Sequence, residues 1–86
     1  MYIKTINFTL LAASLWTPIE ALAKLSNTDG YECILIKEND SSGTVLEFYS
    51  ENNAANSKST LLQTLLSFRE QSIARVTVFK GERISQ

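Results

Sequence analysis

The N-terminal segment constrains this chain most, because it has the three parts of a secretory signal peptide and so decides how much sequence is left to fold. Lys4 lies in a short polar start, residues 8 to 16 form an apolar run, and residues 21 to 23 (Ala-Leu-Ala) supply a small-residue exit. We predict cleavage before Lys24 and a secreted or periplasmic product; the alternative is a buried N-terminal helix. The apolar run is well short of the ~20 residues that span a bilayer, so no transmembrane anchor is expected.

The predicted mature domain, residues 24 to 86, is small. Removing 23 of the 86 residues leaves 63, and a chain of about 60 residues buries only ~60% of its unfolded surface. Cys33 is the only cysteine, which excludes a disulfide within the chain. We predict a small buried thiol, with an intermolecular disulfide as the alternative. Association with other chains is the remaining common way to stabilise such a domain.

A β-hairpin is the first element predicted in this domain. Residues 31 to 38 and 44 to 50 have the β-branched and apolar composition of strands. Residues 39 to 43 (Asn-Asp-Ser-Ser-Gly) are typical of a turn, and Gly43 is expected to supply a positive φ.

Alternation in the second strand predicts which side chains face the core. Leu46 and Phe48 point one way, and we predict that they face the core. Val45, Glu47 and Tyr49 are then expected to face away from it.

A helix is predicted over residues 58 to 72, after a surface loop at residues 51 to 58. Apolar side chains recur along one broad helical face that suits a helix covering a sheet, namely Leu61, Leu62, Leu65, Leu66 and Phe68. Thr60 and Gln63 have the spacing of a capping box, and Ser57 and Ser59 are competing N-caps.

A last strand is predicted over residues 74 to 80, with Val76 and Val78 on one face and Gly81 at its end. The order of elements is then strand, strand, helix, strand. This order predicts a β-rich α+β fold with a small antiparallel sheet and one amphipathic helix.

The residue types exclude most catalytic chemistry. The chain has no histidine, one cysteine and three glycines, so Ser-His-Asp centres, zinc sites and glycine-rich phosphate loops are not expected. Glu38 and Asp40 are the available carboxylate pair, and both lie at a solvated hairpin tip that does not tune a pKa. We therefore predict no enzymatic activity, no catalytic residue, no metal and no cofactor.

Charge argues against nucleic acid as a partner. Lysine and arginine total 8, aspartate and glutamate total 9, and the formal net charge is −1. The cations are spread one by one along the sequence rather than grouped in a basic run.

The predicted hairpin end gathers polar side chains, and these are the candidate binding residues: Lys37, Asn39, Asp40 and Ser42. One interpretation is an ordinary solvated turn. The other is a shallow site for a hydroxyl-rich ligand such as a sugar, with Tyr31 and Tyr49 near the same sheet.

Three features together resemble the B subunits of bacterial AB-type toxins. They are the Tyr-Glu-Cys strand opening at residues 31 to 33, the hairpin KENDSSGT at residues 37 to 44, and the block LLQTLLSFREQSIARVTVFK at residues 61 to 80. The first two are similar to the subtilase cytotoxin and typhoid toxin subunits, and the helix is similar to that of the Shiga toxin subunit.

This resemblance implies an OB-like domain at residues 24 to 86, complete or truncated, that assembles into a pentameric ring. It also implies binding of a host cell-surface glycan and delivery of a catalytic A subunit. In that assembly the helix with Leu61, Leu62, Leu65, Leu66 and Phe68 would line the central pore. The leading hypothesis is thus a secreted, non-enzymatic glycan-binding delivery protein; the alternative is a small periplasmic or secreted interaction or inhibitor module.

Overall fold

The computed structural model of the chain describes residues 1 to 25, 30 to 51 and 58 to 82. Its elements, in chain order, are β1 (Tyr2–Leu10), a short 3₁₀ turn (Ala13–Leu15), α1 (Trp16–Leu25), β2 (Tyr31–Lys37), β3 (Ser42–Tyr49), α2 (Thr60–Glu70) and β4 (Ala74–Glu82). The order β-α-β-β-α-β is that of the split βαβ, or ferredoxin-like, arrangement.

The four strands form one antiparallel sheet in the order β2-β3-β1-β4. The N-terminal strand is therefore an inner strand. Thr5 of β1 lies opposite Leu46 of β3 on one side and opposite Phe79 of β4 on the other. Without β1, the β2–β3 hairpin and β4 would have no hydrogen-bonded connection.

Both helices lie on the same face of the sheet. Helix α1 packs against β2 and α2, and α2 packs against β4. The buried side chains between the helices and the sheet form a single core, whose members are Ile6, Phe8, Leu10, Trp16, Ile19, Cys33, Val45, Leu61, Leu62, Leu65, Ala74 and Val76. We call this side of the sheet the helix face and the opposite side the outer face.

The predicted fold class is confirmed: the protein is β-rich α+β with an antiparallel sheet. The hairpin, the second helix and the last strand occur in the predicted order. In detail, two helices cover the sheet where one was expected, and the sheet is open, with β2 and β4 as its edges, where an OB-like sheet was expected. Strand β4 continues through Gly81 to Glu82.

The predicted orientation of β3 is wrong. Val45, Glu47 and Tyr49 lie on the helix face and are buried, whereas Leu46 and Phe48 lie on the outer face and are half-buried. Both sets are largely apolar, so alternation alone does not say which set the helices cover. The reversal places a carboxylate, that of Glu47, inside the protein.

The apolar face of α2 packs as a sheet-covering helix should. Leu61, Leu62 and Leu65 are buried, and Leu66 and Phe68 are partly buried against the same core. Because these side chains contact the chain's own sheet, they stabilise the monomer. Lining of a pore by this helix stays a prediction.

Ser59 begins α2, which settles the alternative N-caps among the described residues. Its side-chain oxygen accepts a hydrogen bond from the Leu62 backbone N–H at 3.0 Å. Ser57 and most of the predicted loop at residues 51 to 58 lie outside the described residues.

Gly43 has a different role from the one predicted. Among the described residues the positive φ values belong to Gly30 and Ser72, and not to Gly43. A Cβ at Gly43 would come within 2.5 Å of Trp16 Cη2 and 2.7 Å of the Ile36 backbone oxygen. Glycine is required here because the indole ring packs directly on the β3 backbone.

The N-terminal segment takes part in the core of the intact chain. Ile6 and Phe8 of β1 and Trp16 and Ile19 of α1 are all buried. Its removal as a signal peptide stays a prediction. Neither of the described helices has the length and apolar character needed to cross a bilayer.

We expect a chain that lacks residues 1 to 23 not to fold. The deletion removes β1, which pairs with both β3 and β4, together with most of α1. Urea titration followed by far-ultraviolet circular dichroism should show a cooperative transition for the full chain and none for the truncated chain. A truncated chain that unfolds as cooperatively as the full chain would contradict this fold and favour the signal peptide.

We expect Gly43→Ala to lower the free energy of unfolding by about 1–3 kcal/mol, because overpacking forces neighbouring groups to shift. Gly81→Ala is the matched control, since among the described residues a Cβ there meets only Phe79 Cε1, at 3.8 Å. Chemical denaturation of both variants checks the prediction, and equal losses would refute the steric role of Gly43.

Candidate functional site

The Glu47 carboxylate is fully buried and accepts hydrogen bonds from three hydroxyl groups. Tyr31 donates to Oε2 at 2.6 Å, Ser59 donates to Oε2 at 2.5 Å, and Tyr49 donates to Oε1 at 2.9 Å. A buried carboxylate is tolerated only when hydrogen bonds replace its hydration. These four residues are named the hydroxyl–carboxylate cluster.

Strand register assembles three members of this cluster. Tyr31 of β2 lies opposite Tyr49 of β3, and the next helix-face pair is Cys33 opposite Glu47. The two tyrosine rings contact each other at a centroid distance of 5.0 Å and an angle of 54°. The register thus brings both phenol groups within reach of one carboxylate.

Ser59 connects the cluster to α2. Its hydroxyl donates to Glu47, and the same oxygen accepts from the Leu62 backbone N–H that begins the helix. One side chain therefore caps α2 and attaches its N-terminus to β3. This attachment fixes the position of α2 relative to β3.

The two phenol groups of the cluster keep their protons. Burial, with the neighbouring Glu47 carboxylate, raises the pKa of both Tyr31 and Tyr49 above the ordinary value of about 10. Burial also raises the pKa of the Cys33 thiol. The phenols are therefore hydrogen-bond donors rather than bases, and the thiol is a poor nucleophile.

Lys4 lies next to the cluster on the inner strand β1. In register it is opposite Glu47 of β3 on one side and Lys80 of β4 on the other. Its side chain is 4% exposed, and its Nζ lies 5.3 Å from the centre of the Tyr49 ring. Burial lowers the pKa of Lys4, opposed by Glu47 and reinforced by Lys80 and Lys58.

A groove of about 370 Å³ opens beside Lys4 along α2 and β4. Its wall combines apolar side chains from both elements with cationic side chains around them. The lining residues are Leu62, Leu66 and Val78, with Lys4, Lys58, Arg69 and Lys80. We call this the cationic groove.

A second groove of about 440 Å³ adjoins it at the other end of α2. Arg69 lines both grooves, so they share one wall residue. Leu10, Ile73 and Arg75 are among the other lining residues of the second groove. The second groove lies where the C-terminal end of α2 meets the end of β1 and the start of β4.

Charge in the folded chain is less evenly spread than in the sequence. Four of the eight lysine and arginine residues line the cationic groove, although the chain has a net charge of −1. The cationic side chains that line this groove suit an anion rather than a metal ion. Among the described residues, no three His, Cys, Asp or Glu side chains are grouped so that they could hold a metal.

The predicted binding residues at the hairpin do lie together, and the side chain of Asn39 is used by the turn itself. The Asn39 side-chain oxygen accepts from the backbone N–H groups of Ser41 and Ser42, at 2.9 and 2.8 Å. The Asp40 backbone oxygen accepts from Trp16 Nε1 at 2.7 Å. These contacts fit the interpretation of an ordinary turn.

Lys37, at the same end of the hairpin, places its Nζ 5.1 Å from the centre of the Trp16 ring. That ring is 4% exposed, so it offers no open face for a sugar. A glycan-binding role for Lys37, Asn39, Asp40 and Ser42 stays a prediction.

Sequence reasoning missed Glu47, Ser59 as its partner, and Lys4. Glu47 was placed on the face away from the core, and Lys4 was assigned to the start of a signal peptide. The sequence does contain a signal for this cluster. One strand of the hairpin carries Tyr-x-Cys, and the other carries Glu-x-Tyr. If both motifs face the core, their two phenols, thiol and carboxylate lie together.

No known protein-family model matches this sequence, and no curated protein matches it either. Among solved structures, the chain is similar to Rv0793 from Mycobacterium tuberculosis, with a TM-score of 0.67 and 15% sequence identity. The likeness covers 100% of this chain and 98% of that chain, and it shows a shared fold. It does not bear on toxin B subunits, so that resemblance stays a prediction.

We expect Tyr49→Phe to reduce alkaline destabilisation. Since the pKa of Tyr49 is raised in the folded state, folded protein holds this proton more tightly than unfolded protein. The resulting stability is present below pH ~10 and is lost as the pH rises above that value. The free energy of unfolding, measured by urea titration at successive pH values, should therefore fall less steeply in the variant.

One proton accounts for at most about 1.4 kcal/mol per pH unit of that slope. Tyr2→Phe is the control, because Tyr2 lies outside the hydroxyl–carboxylate cluster. A slope above pH 10 that is the same in Tyr49→Phe and Tyr2→Phe would argue against the protonated phenol.

Proposed function

We propose that the intact chain binds a small molecule that combines an anionic group with an apolar body. The observation that carries this proposal is the cationic groove, in which Lys4, Lys58, Arg69 and Lys80 surround an apolar wall. Because Lys4 belongs to β1, the proposed ligand requires the chain with its N-terminal segment in place.

The anionic group is favoured by the number and spacing of the cations. Lys4 and Lys80 are cross-strand neighbours on β1 and β4, so their side chains face one region of the groove. Carboxylate and phosphate oxygens accept charge-assisted hydrogen bonds from lysine and arginine, which are stronger than those between neutral groups. A neutral ligand would make no charge-assisted hydrogen bonds of this kind.

The apolar wall of the cationic groove favours a ligand with an apolar body. Leu62 and Leu66 lie one helical turn apart on α2 and face Val78 of β4, which is 40% exposed. Covering such a surface contributes about 0.8 kcal/mol per buried methylene. The groove volume of about 370 Å³ lies within the range of small-molecule sites rather than macromolecular surfaces.

The site is held in place before any ligand arrives. Lys4 is on an inner strand, and the wall formed by α2 is attached to β3 through Ser59 and Glu47. A pre-formed site spends less binding energy on ordering side chains.

Isothermal titration calorimetry with four probes tests the proposal. We expect octanoate and octyl phosphate to bind at least about tenfold more tightly than octan-1-ol or inorganic phosphate, a difference of ~1.4 kcal/mol. Lys80→Gln and Arg69→Gln should each weaken octanoate binding by roughly threefold to tenfold. Lys24→Gln is the matched control, since Lys24 is an exposed cation on α1.

Three results would contradict the proposal. Octan-1-ol could bind as tightly as octanoate, the control could weaken binding as much as Lys80→Gln, or neither anionic probe could bind. Octanoate affinity should also fall with added salt, because screening weakens contacts between partly exposed charges.

A further inference from the structure

We propose that Lys4 is a nucleophilic amine that forms a covalent imine with the carbonyl group of an α-keto acid held in the cationic groove. This inference rests on the proposed anion-binding function and adds a substrate class and a reaction. It assigns Lys4 a chemical role as well as a charge.

The position of Lys4 distinguishes it from the other lysines. The structure describes five lysines, and Lys4 is buried whereas Lys24, Lys37, Lys58 and Lys80 are exposed. Lys4 nevertheless lines the groove, so a ligand held in the groove lies against this residue. A lysine that is largely removed from water yet open to a ligand has the setting of a Schiff-base lysine.

Charged groups around Lys4 come from three directions. Lys80 on β4 and Lys58 before α2 disfavour its protonated form, as does burial, while Glu47 on β3 favours it. The Glu47 oxygens also accept three hydroxyl hydrogen bonds. The balance lowers the pKa of Lys4, so more of the neutral, nucleophilic amine is present.

The substrate class follows from the position of Lys4 next to Lys80. Lys4 and Lys80 are directly opposite in an antiparallel pair, where Cα atoms lie about 4.5–5.5 Å apart. A ligand that offers a carbonyl to one and an anion to the other must carry the two groups side by side. An α-keto acid with an apolar tail has this arrangement, with the tail along Leu62 and Leu66.

The reaction needs no oxidant or reductant. The lone pair of the neutral Lys4 nitrogen attacks the carbonyl carbon, a C–N bond forms, and the carbonyl π electrons move to oxygen, which is protonated as nitrogen loses a proton. The hydroxyl group of the resulting carbinolamine takes up a proton and leaves as water while the nitrogen lone pair forms the C=N bond, and the nitrogen then releases its remaining proton. The products are one imine and one water molecule.

Reductive trapping tests the inference on the full-length chain. The protein is incubated with α-ketooctanoate and sodium borohydride and then mapped by peptide mass spectrometry, with fragmentation to separate Lys4 from the Met1 α-amine. We expect labelling of Lys4 to exceed severalfold that of Lys24, which is exposed and is not among the lining residues of the groove. Labelling spread evenly over the lysines would overturn the inference.

Two variants separate chemistry from structure. Lys4→Arg keeps the positive charge and cannot form an imine, so a Lys4→Arg variant that is shown by urea titration to be folded should lose trapping at this position. Glu47→Gln removes the charge that favours protonated Lys4, so the midpoint of the pH profile for trapping should move to lower pH. A Lys4→Arg variant labelled at the groove as strongly as the native chain would overturn the inference, as would an unmoved pH midpoint in a folded Glu47→Gln variant.

Octanoate distinguishes failure of the reaction from failure of the site. If native protein binds octanoate and α-ketooctanoate is not trapped, the imine is wrong and the anion-binding function stands. If octanoate does not bind, the proposed function itself is wrong.

Discussion

The pairing of β1 with both β3 and β4 is the constraint on which the other features depend. It joins the β2–β3 hairpin to β4 in one sheet, and that sheet gives the two helices a common surface. Ile6 and Phe8 of this strand are buried on the helix face of the sheet, so loss of β1 would remove both side chains from the core. The same strand places Lys4 between Glu47 and Lys80, so the fold and the candidate site share one element.

Glu47 makes the second connection, between the sheet and α2. A buried charge contributes little stability by itself, because its desolvation offsets most of what its partners return. What the hydroxyl–carboxylate cluster fixes is geometry: the Ser59 hydroxyl bonds to Glu47 while capping the helix. The width of the cationic groove depends on where α2 lies over β4, so a polar contact in the core determines the shape of a site at the surface.

The local sequence pattern predicts the hairpin, α2 and β4 between residues 31 and 82. It does not predict which face of β3 is buried. Turn-forming residues after Lys37 and leucines at helical spacing predict the hairpin and α2 because each signal is contained within its own segment. The orientation of β3 depends on which face α1 and α2 cover, and alternation between Leu46 and Val45 does not carry that information. The apolar residues of β1 suit an export signal and an inner strand alike, since its partners are distant in the sequence.

The two faces of the sheet present different surfaces, one apolar and one cationic. The outer face carries the cross-strand row Ile34, Leu46, Thr5 and Phe79, in which Phe79 is 70% exposed. The cationic groove lies on the helix face and is lined by residues of one chain. Association of chains through the outer face would bury apolar surface and leave the groove open, so the predicted homo-oligomer and the proposed ligand site do not compete for the same residues.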